Sequence, residues 1–374
     1  MYSSNIKYLP QVDHLRAIAA IWIVLYHGEQ LIRSFLENSK ESSEIWHFTM
    51  NPLVAVIREG HSAVALFMVL SGFIFTYGAY GKTIAYKEFI FNRILRIYPL
   101  FLCLVFLSLA ENPSAFDLAS FVTTVLPLAN IKVLATGTLI AMAWAISIEF
   151  QFYLIFPFLL RFLNTYKTKF FFSAIGCALL FRLLGASLGA NVRDLSYWHL
   201  AGRIDQFIAG MAAAAVIHNF DLRPRNMRCL LVLIVVLIIG ILFGFHRLGG
   251  WPDSGLWKVI WPTLEGSMYA VLVVSYIGSG TIISHALSRF LSGCGEVSFS
   301  IYLLHFPIIA AVIRHNILWR PTNSASLNAV LSTLWIVLPI TVTSSILTYN
   351  SVEKPFLSLR KKYILRPQMT ILVQ

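Results

Sequence analysis

A chain of 374 residues that is 57% hydrophobic, only 12% charged and of net charge +12 is not a water-soluble domain, because such domains hold roughly a quarter charged residues. Its mean hydropathy of +0.72 and its recurring apolar runs indicate a polytopic α-helical membrane protein. The positive excess then reads as Lys and Arg loaded into cytoplasmic loops, which sets nucleic acid aside as a partner.

Ten apolar runs predict about ten transmembrane helices, near 14–35, 61–80, 97–112, 143–160, 170–190, 200–217, 229–246, 258–279, 297–315 and 327–350. The first is read as a retained helix and not a signal peptide, since neither a basic n-region nor a cleavage site frames it. It carries Arg16 at its start and His27 in its second half. Eleven residues advance about 16 Å and come within about 20° of three full turns, so the two side chains share one face. An ionisable group inside a bilayer faces a cavity or a partner. Arg16 can equally be a snorkelling residue, whereas His27 favours function.

After the second run come Lys82, Lys87, Arg93 and Arg96; after the fourth, Arg161, Lys167 and Lys169; after the sixth, Arg223, Arg225 and Arg228. The end of the chain adds Lys354, Arg360, Lys361, Lys362 and Arg366. By the positive-inside rule both termini are cytoplasmic. The stretch around 113–142 is apolar, broken by Pro127 and too short for two comfortable spans, and is expected to be re-entrant or surface-lying. Arg93 and Arg96 stand three apart on one helical side, suited to phosphate but equally predicted by loop charge.

Glu149, in the fourth run, is placed at the depth of His27, with the imidazole as one candidate partner and a helix–helix hydrogen bond as the rival. Tyr302 and His305 share a face of the ninth run, Arg203 and Asp205 flank the start of the sixth, and Arg182 lies within the fifth. Each of these five fits a substrate-binding or a structural polar-core role. His61 and His199 are expected at water-accessible helix ends. The scattered Cys103, Cys177, Cys229 and Cys294 read as packing residues, and no metal site is indicated.

The segments "HLRAIAAIWIVLYH", "SAVALFMVLSGFIFTYG", "FNRILRIYPLF", "WAISIEFQFYLIFP", "RIDQFIAG", "VSFSIYLLHFP" and "VEKPF", in this order and spacing, resemble the acyltransferase-3 family of membrane O-acyltransferases from Leu9 to Phe356. The resemblance implies one integral membrane acyltransferase domain over 1–374, with 357–374 a basic cytoplasmic tail and no C-terminal esterase-like domain. It implies transfer of an acyl group, commonly acetyl, from cytosolic acyl-CoA as co-substrate to a hydroxyl of a cell-surface polysaccharide or lipid-linked sugar, in a bacterial inner membrane. His27, Glu149 and Arg16 are then catalytic, Glu149 matching the acidic position of the family's tryptophan-led motif and orienting the His27 ring, and Arg93, Arg96 and Arg16 are acyl-CoA-binding. The family's second acidic position is Phe150 here, Met68 interrupts "LFMVLSG", and Ala145 replaces a usual serine. Whether transfer is direct or passes through an acyl-enzyme stays open, as does homo-oligomerisation. The rival class, a transporter or flippase of lipid-linked sugar or small solute, predicts paired repeats that the sequence does not display.

Overall fold

Proline placed at the first turn, where its missing N–H costs nothing, starts the helix α1, Pro10–Leu36. The computed structural model describes residues 8–38, 46–115, 117–130 and 138–365. Asn51 caps the short α2, Pro52–Arg58, by accepting from the Leu53 amide at 2.9 Å. There follow α3 (Ala63–Ala79), β1 (Thr83–Ile84), α4 (Tyr86–Glu111), α5 (Leu118–Val125), α6 (Ala143–Tyr166) and α7 (Thr168–Ser187). The second half holds α8 (Val192–Trp198), α9 (Leu200–Asn219), α10 (Pro224–Arg247) and α11 (Trp261–Gly278). It closes with α12 (His285–Glu296), α13 (Ser298–Arg314), α14 (Ala325–Ser332), α15 (Leu338–Thr348), α16 (Lys354–Leu357) and β2 (Ile364–Leu365). π-helical turns at Thr333–Val337 and Tyr349–Glu353 weld α14, α15 and α16 into one long run.

Among the described residues, eight helices are long and apolar enough to cross a bilayer, or nine if α12 and α13, bent by 69°, count as one broken span. The fold is all-α and polytopic, as its composition demands. All ten expected runs are helical, but α11 is too polar to join the eight: it carries Glu265, fully buried against its neighbours. Within 113–142 the described part holds only the eight-residue α5 and three-residue turns, none able to span. Residues 116 and 131–137 fall outside the described residues, as does Arg366.

Helix α3 is the most enclosed span, whereas α7 and α10 are largely exposed and turn their apolar side chains outward, where lipid would cover them. The tightest crossing is α3 on α9. Gly72 sits against the Phe207 carbonyl and Gly210 against the Val69 carbonyl, so neither position has room for a Cβ. Small residues at such crossings let helix backbones touch, the usual source of packing energy in membranes. Phe152 stacks on Phe207 at 4.0 Å and ties α6 to the same centre. All four cysteines are unpaired; only Cys294 is buried, so the other three are not core packing residues.

Residues 358–365, which the sequence assigns to a basic tail, fold back: β2 pairs antiparallel with β1, Ile364 opposite Ile84. The described C-terminal end therefore lies at the end of the bundle that carries the α3–α4 loop, and Tyr8, near the other end, lines the same cavity as Tyr363. Gly210→Val should lower stability by about 1–3 kcal/mol or more through overpacking, read as a fall in the unfolding midpoint in detergent. Gly240→Val, on α10 with open space around its Cα, should leave the midpoint nearly unchanged.

Candidate functional site

A cavity of about 600 Å³ opens among α1, α3, α4, α6, α12 and α13, within the size range of ligand pockets. Its basic-loop end holds exposed Arg289 and half-buried Arg360; Arg16, Arg93 and Arg96 follow, and Phe67 and Tyr302 lie further along. Five guanidiniums thus face three carboxylates, those of Asp13, Glu149 and Glu296. Arg16 stands 3.6 Å from Asp13 and is about one-third exposed, so it is a cavity residue more than a lipid-facing one. Arg93 lies over the Phe75, Phe89 and Tyr153 rings, at 4.7, 5.5 and 5.7 Å.

Three turns beyond Arg16 on α1, His27 meets His305 of α13. His27 Nδ1 lies 3.0 Å from His305 Nε2, and the rings stack at 5.1 Å. His305 Nδ1 lies 3.2 Å from the Ile301 carbonyl, which can only accept, so that nitrogen carries the proton. With both rings neutral, His305 Nε2 is then an acceptor, His27 Nδ1 donates to it, and His27 Nε2 keeps its lone pair. Neither ring lines the cavity itself. Tyr302, one turn back on α13, does; its ring is 5.9 Å from that of His305, and its buried hydroxyl has no hydrogen-bond partner among the described residues.

Glu149 does not meet His27, which corrects the expectation from depth alone. Its carboxylate accepts from Ser71 Oγ at 2.8 Å and from the Tyr153 hydroxyl. Tyr153 stands one turn along the same face of α6, and Glu149 lines the same cavity as Arg16 and Arg93. The carboxylate therefore belongs with the arginines, and the place beside His27 is filled by His305. Arg96 keeps its cavity position but is tied to buried Glu353 at 2.8 Å, because the π-helical turn at Tyr349–Glu353 aims that carboxylate inward. It is thus less available to a phosphate than Arg93.

Arg182, Asp205 and Arg203 lie elsewhere. Arg182, fully buried, donates to Asp205 at 2.8 Å, to Thr263 and Gly202 at 2.7 Å each, and to the Val259 carbonyl. This pair clamps α7, α9 and α11, a structural role with its hydrogen bonds met. Arg203 donates to Gln206 at 2.9 Å and lies over Tyr197, though its two terminal nitrogens have no partner among the described residues. None of the three lines the cavity.

His61 is not at a wet helix end: it is buried, with Nε2 2.9 Å from Glu59, whose other oxygen lies 2.7 Å from His246 Nδ1. Glu59 reads from sequence as a loop residue, and no local signal reveals its burial. Burial pushes its carboxyl up, but hydrogen bonds from His246, His61 and Trp46 outweigh that and hold it below the ordinary carboxylate value.

These features define a multi-span α-helical membrane protein whose arginine-rich cavity approaches a buried imidazole pair. The model of the acyltransferase domain family, acyltransferase-3, matches residues 9–350, and the chain belongs to that family: it is a membrane acyltransferase. Comparison with curated proteins and with solved structures gave no match.

A carboxylate held low contributes stability that is complete above its unfolded value and is lost as pH falls through the folded one. Glu59→Gln should therefore lower the unfolding midpoint at pH 7, by about 1–3 kcal/mol of stability. It should also flatten the acid-side decline seen in the parent protein, both read from thermal melts across pH in detergent.

Proposed function

We propose that this acyltransferase moves an acetyl group from cytosolic acetyl-CoA to a hydroxyl of a cell-surface glycan or lipid-linked sugar, in a bacterial inner membrane. The observation that carries the reading is the His27–His305 contact, about 16 Å along α1 from Arg16, one of the arginines that line the cavity. By the charge of its loops the cavity opens to the cytosol. The acyl-pantetheine arm is a slender chain able to enter the cavity, and the phosphates of the nucleotide end of CoA would remain among the arginines at the mouth. The acceptor approaches from the opposite face.

In the reaction, His27 Nε2 takes the proton from the acceptor hydroxyl as its oxygen attacks the thioester carbonyl carbon. His305, by accepting from Nδ1, is the positioning residue that keeps Nε2 unprotonated until then. The carbonyl oxygen becomes an oxyanion, for which the unpartnered Tyr302 hydroxyl is a ready donor. Collapse breaks the C–S bond, and the thiolate leaves with the proton from the His27 imidazolium. An ester and free CoA result. Glu149 acts on the arginine side, where it offsets Arg16 and braces Tyr153.

His27→Ala should insert in the membrane normally and lose acetyl transfer by about 10²–10⁴-fold, the range for a general base, measured as label passing from labelled acetyl-CoA to glycan in membranes. Wild-type activity in that variant would refute the scheme. His305→Gln, whose amide oxygen can accept from His27 Nδ1, should keep much of kcat and shift the pH profile. His305→Leu should lose kcat with KM for acetyl-CoA little changed.

A further inference from the structure

Three arginines of the cavity, Arg93, Arg289 and Arg360, have no ion-pair partner among the described residues, and the Nε atoms of Arg93 and Arg360 are buried without a hydrogen bond. Unpaired guanidiniums converging on a sheltered volume repel one another and lose hydration, so the arrangement is favourable only with an anion among them. Burial, together with the charges of Arg96, Arg93 and Arg16, pushes the Arg360 guanidinium down to about 10.

Arg360 lies beyond residue 350, where the family match ends, and the chain fixes it with care. Fully buried Asn92 of α4 grips the next residue twice: its Nδ2 donates to the Lys361 carbonyl at 2.7 Å, and its Oδ1 accepts from the Lys361 amide at 2.8 Å. Two residues further, the Ala85 amide donates to the Tyr363 carbonyl at 2.9 Å, and Tyr363 packs edge-on against Phe89 at 5.2 Å. The β1–β2 pairing completes the strap. A loosely held basic tail would need none of this; here two successive anchors hold the backbone that carries one guanidinium over the cavity.

We infer that Arg360, with Arg93 and Arg289, forms a phosphate-binding subsite at the cavity mouth, and that its ligand is the phosphorylated nucleotide end of coenzyme A. The inference rests on the acyl-CoA reading above and adds to it a binding residue from the C-terminal strap. Guanidinium groups suit this ligand because their planar forks bind phosphate oxygens in pairs. An anionic lipid headgroup offers the same chemistry, but it would lie outside the helices, whereas Arg93 is covered by three aromatic rings inside the bundle. Asn92 is a positioning residue for the subsite, acting through the strap.

The test is direct binding by the purified full chain in neutral detergent, titrated calorimetrically with CoA and with pantetheine. Arg360→Gln should weaken CoA by roughly tenfold or more, as expected for a charge-assisted hydrogen bond, while pantetheine binds as to the parent protein. The pantetheine arm shows in the same sample that the variant is folded. Asn92→Ala should weaken CoA in the same direction, and Arg360→Lys should restore part of it. CoA affinity unchanged in Arg360→Gln would overturn the proposal. So would a parent protein that binds phosphatidylglycerol added to the micelle through Arg360 and ignores CoA. If CoA binds as described but wild-type membranes transfer no label, the acyl-transfer reading fails by itself and the subsite stands.

Discussion

The hydrogen bond between two imidazoles, His27 on α1 and His305 on α13, is the contact around which the rest of the molecule makes sense. Two neutral histidines can share such a bond only if one donates and the other accepts, and the Ile301 carbonyl decides which. A single backbone oxygen, two atoms of a ring, and a second ring thus define where a lone pair is free. That outcome needs α1 and α13 held in fixed register, which falls to the tightly crossed helices behind them and to α12, bent 69° from α13 and laid against the start of α1.

Charge placement follows a second rule: an ionised side chain in a low-dielectric interior is paired, or it is there to meet something. Arg182 and Asp205 are of the first kind, and so is Arg96 with Glu353. Arg93 and Arg360 are of the second, facing a cavity instead of a carboxylate. Among the arginines that line the cavity, polar pairing therefore separates Arg96, tied to Glu353, from Arg93 and Arg360, which have no ion-pair partner among the described residues, a distinction that charge counting does not make. Tyr302 adds a neutral group of the same kind, a hydroxyl without a partner at the wall nearest the imidazoles by sequence.

Much of this was legible in the sequence, for definite reasons. Hydropathy marks helices because lipid penalises unpaired backbone groups, so the runs and the face shared by Arg16 and His27 could be read directly. The family resemblance, carried by soft motifs in fixed order, held over residues 9–350. What escaped depends on contacts between distant segments. Depth alone matches Glu149 to His27, yet depth says nothing of azimuth, and Tyr153 on its own helix holds the carboxylate. Burial of Glu59 needs His246, 187 residues away. Arg360 lies in what reads as a solvated basic tail, and only the Asn92 clamp and the β1–β2 pair bring it to the cavity. The run at 258–279 reads as one more apolar span, and nothing local in it shows that Glu265 is enclosed there.

The central claim is that the cavity delivers an acyl thioester to His27 Nε2. Its most direct measurement is an experimental structure of the full chain with a non-hydrolysable acetyl-CoA analogue. The account predicts the acyl carbonyl beside Tyr302 and facing His27, with the His27–His305 bond intact. An analogue bound outside the cavity, or an acyl group remote from both imidazoles, would contradict it.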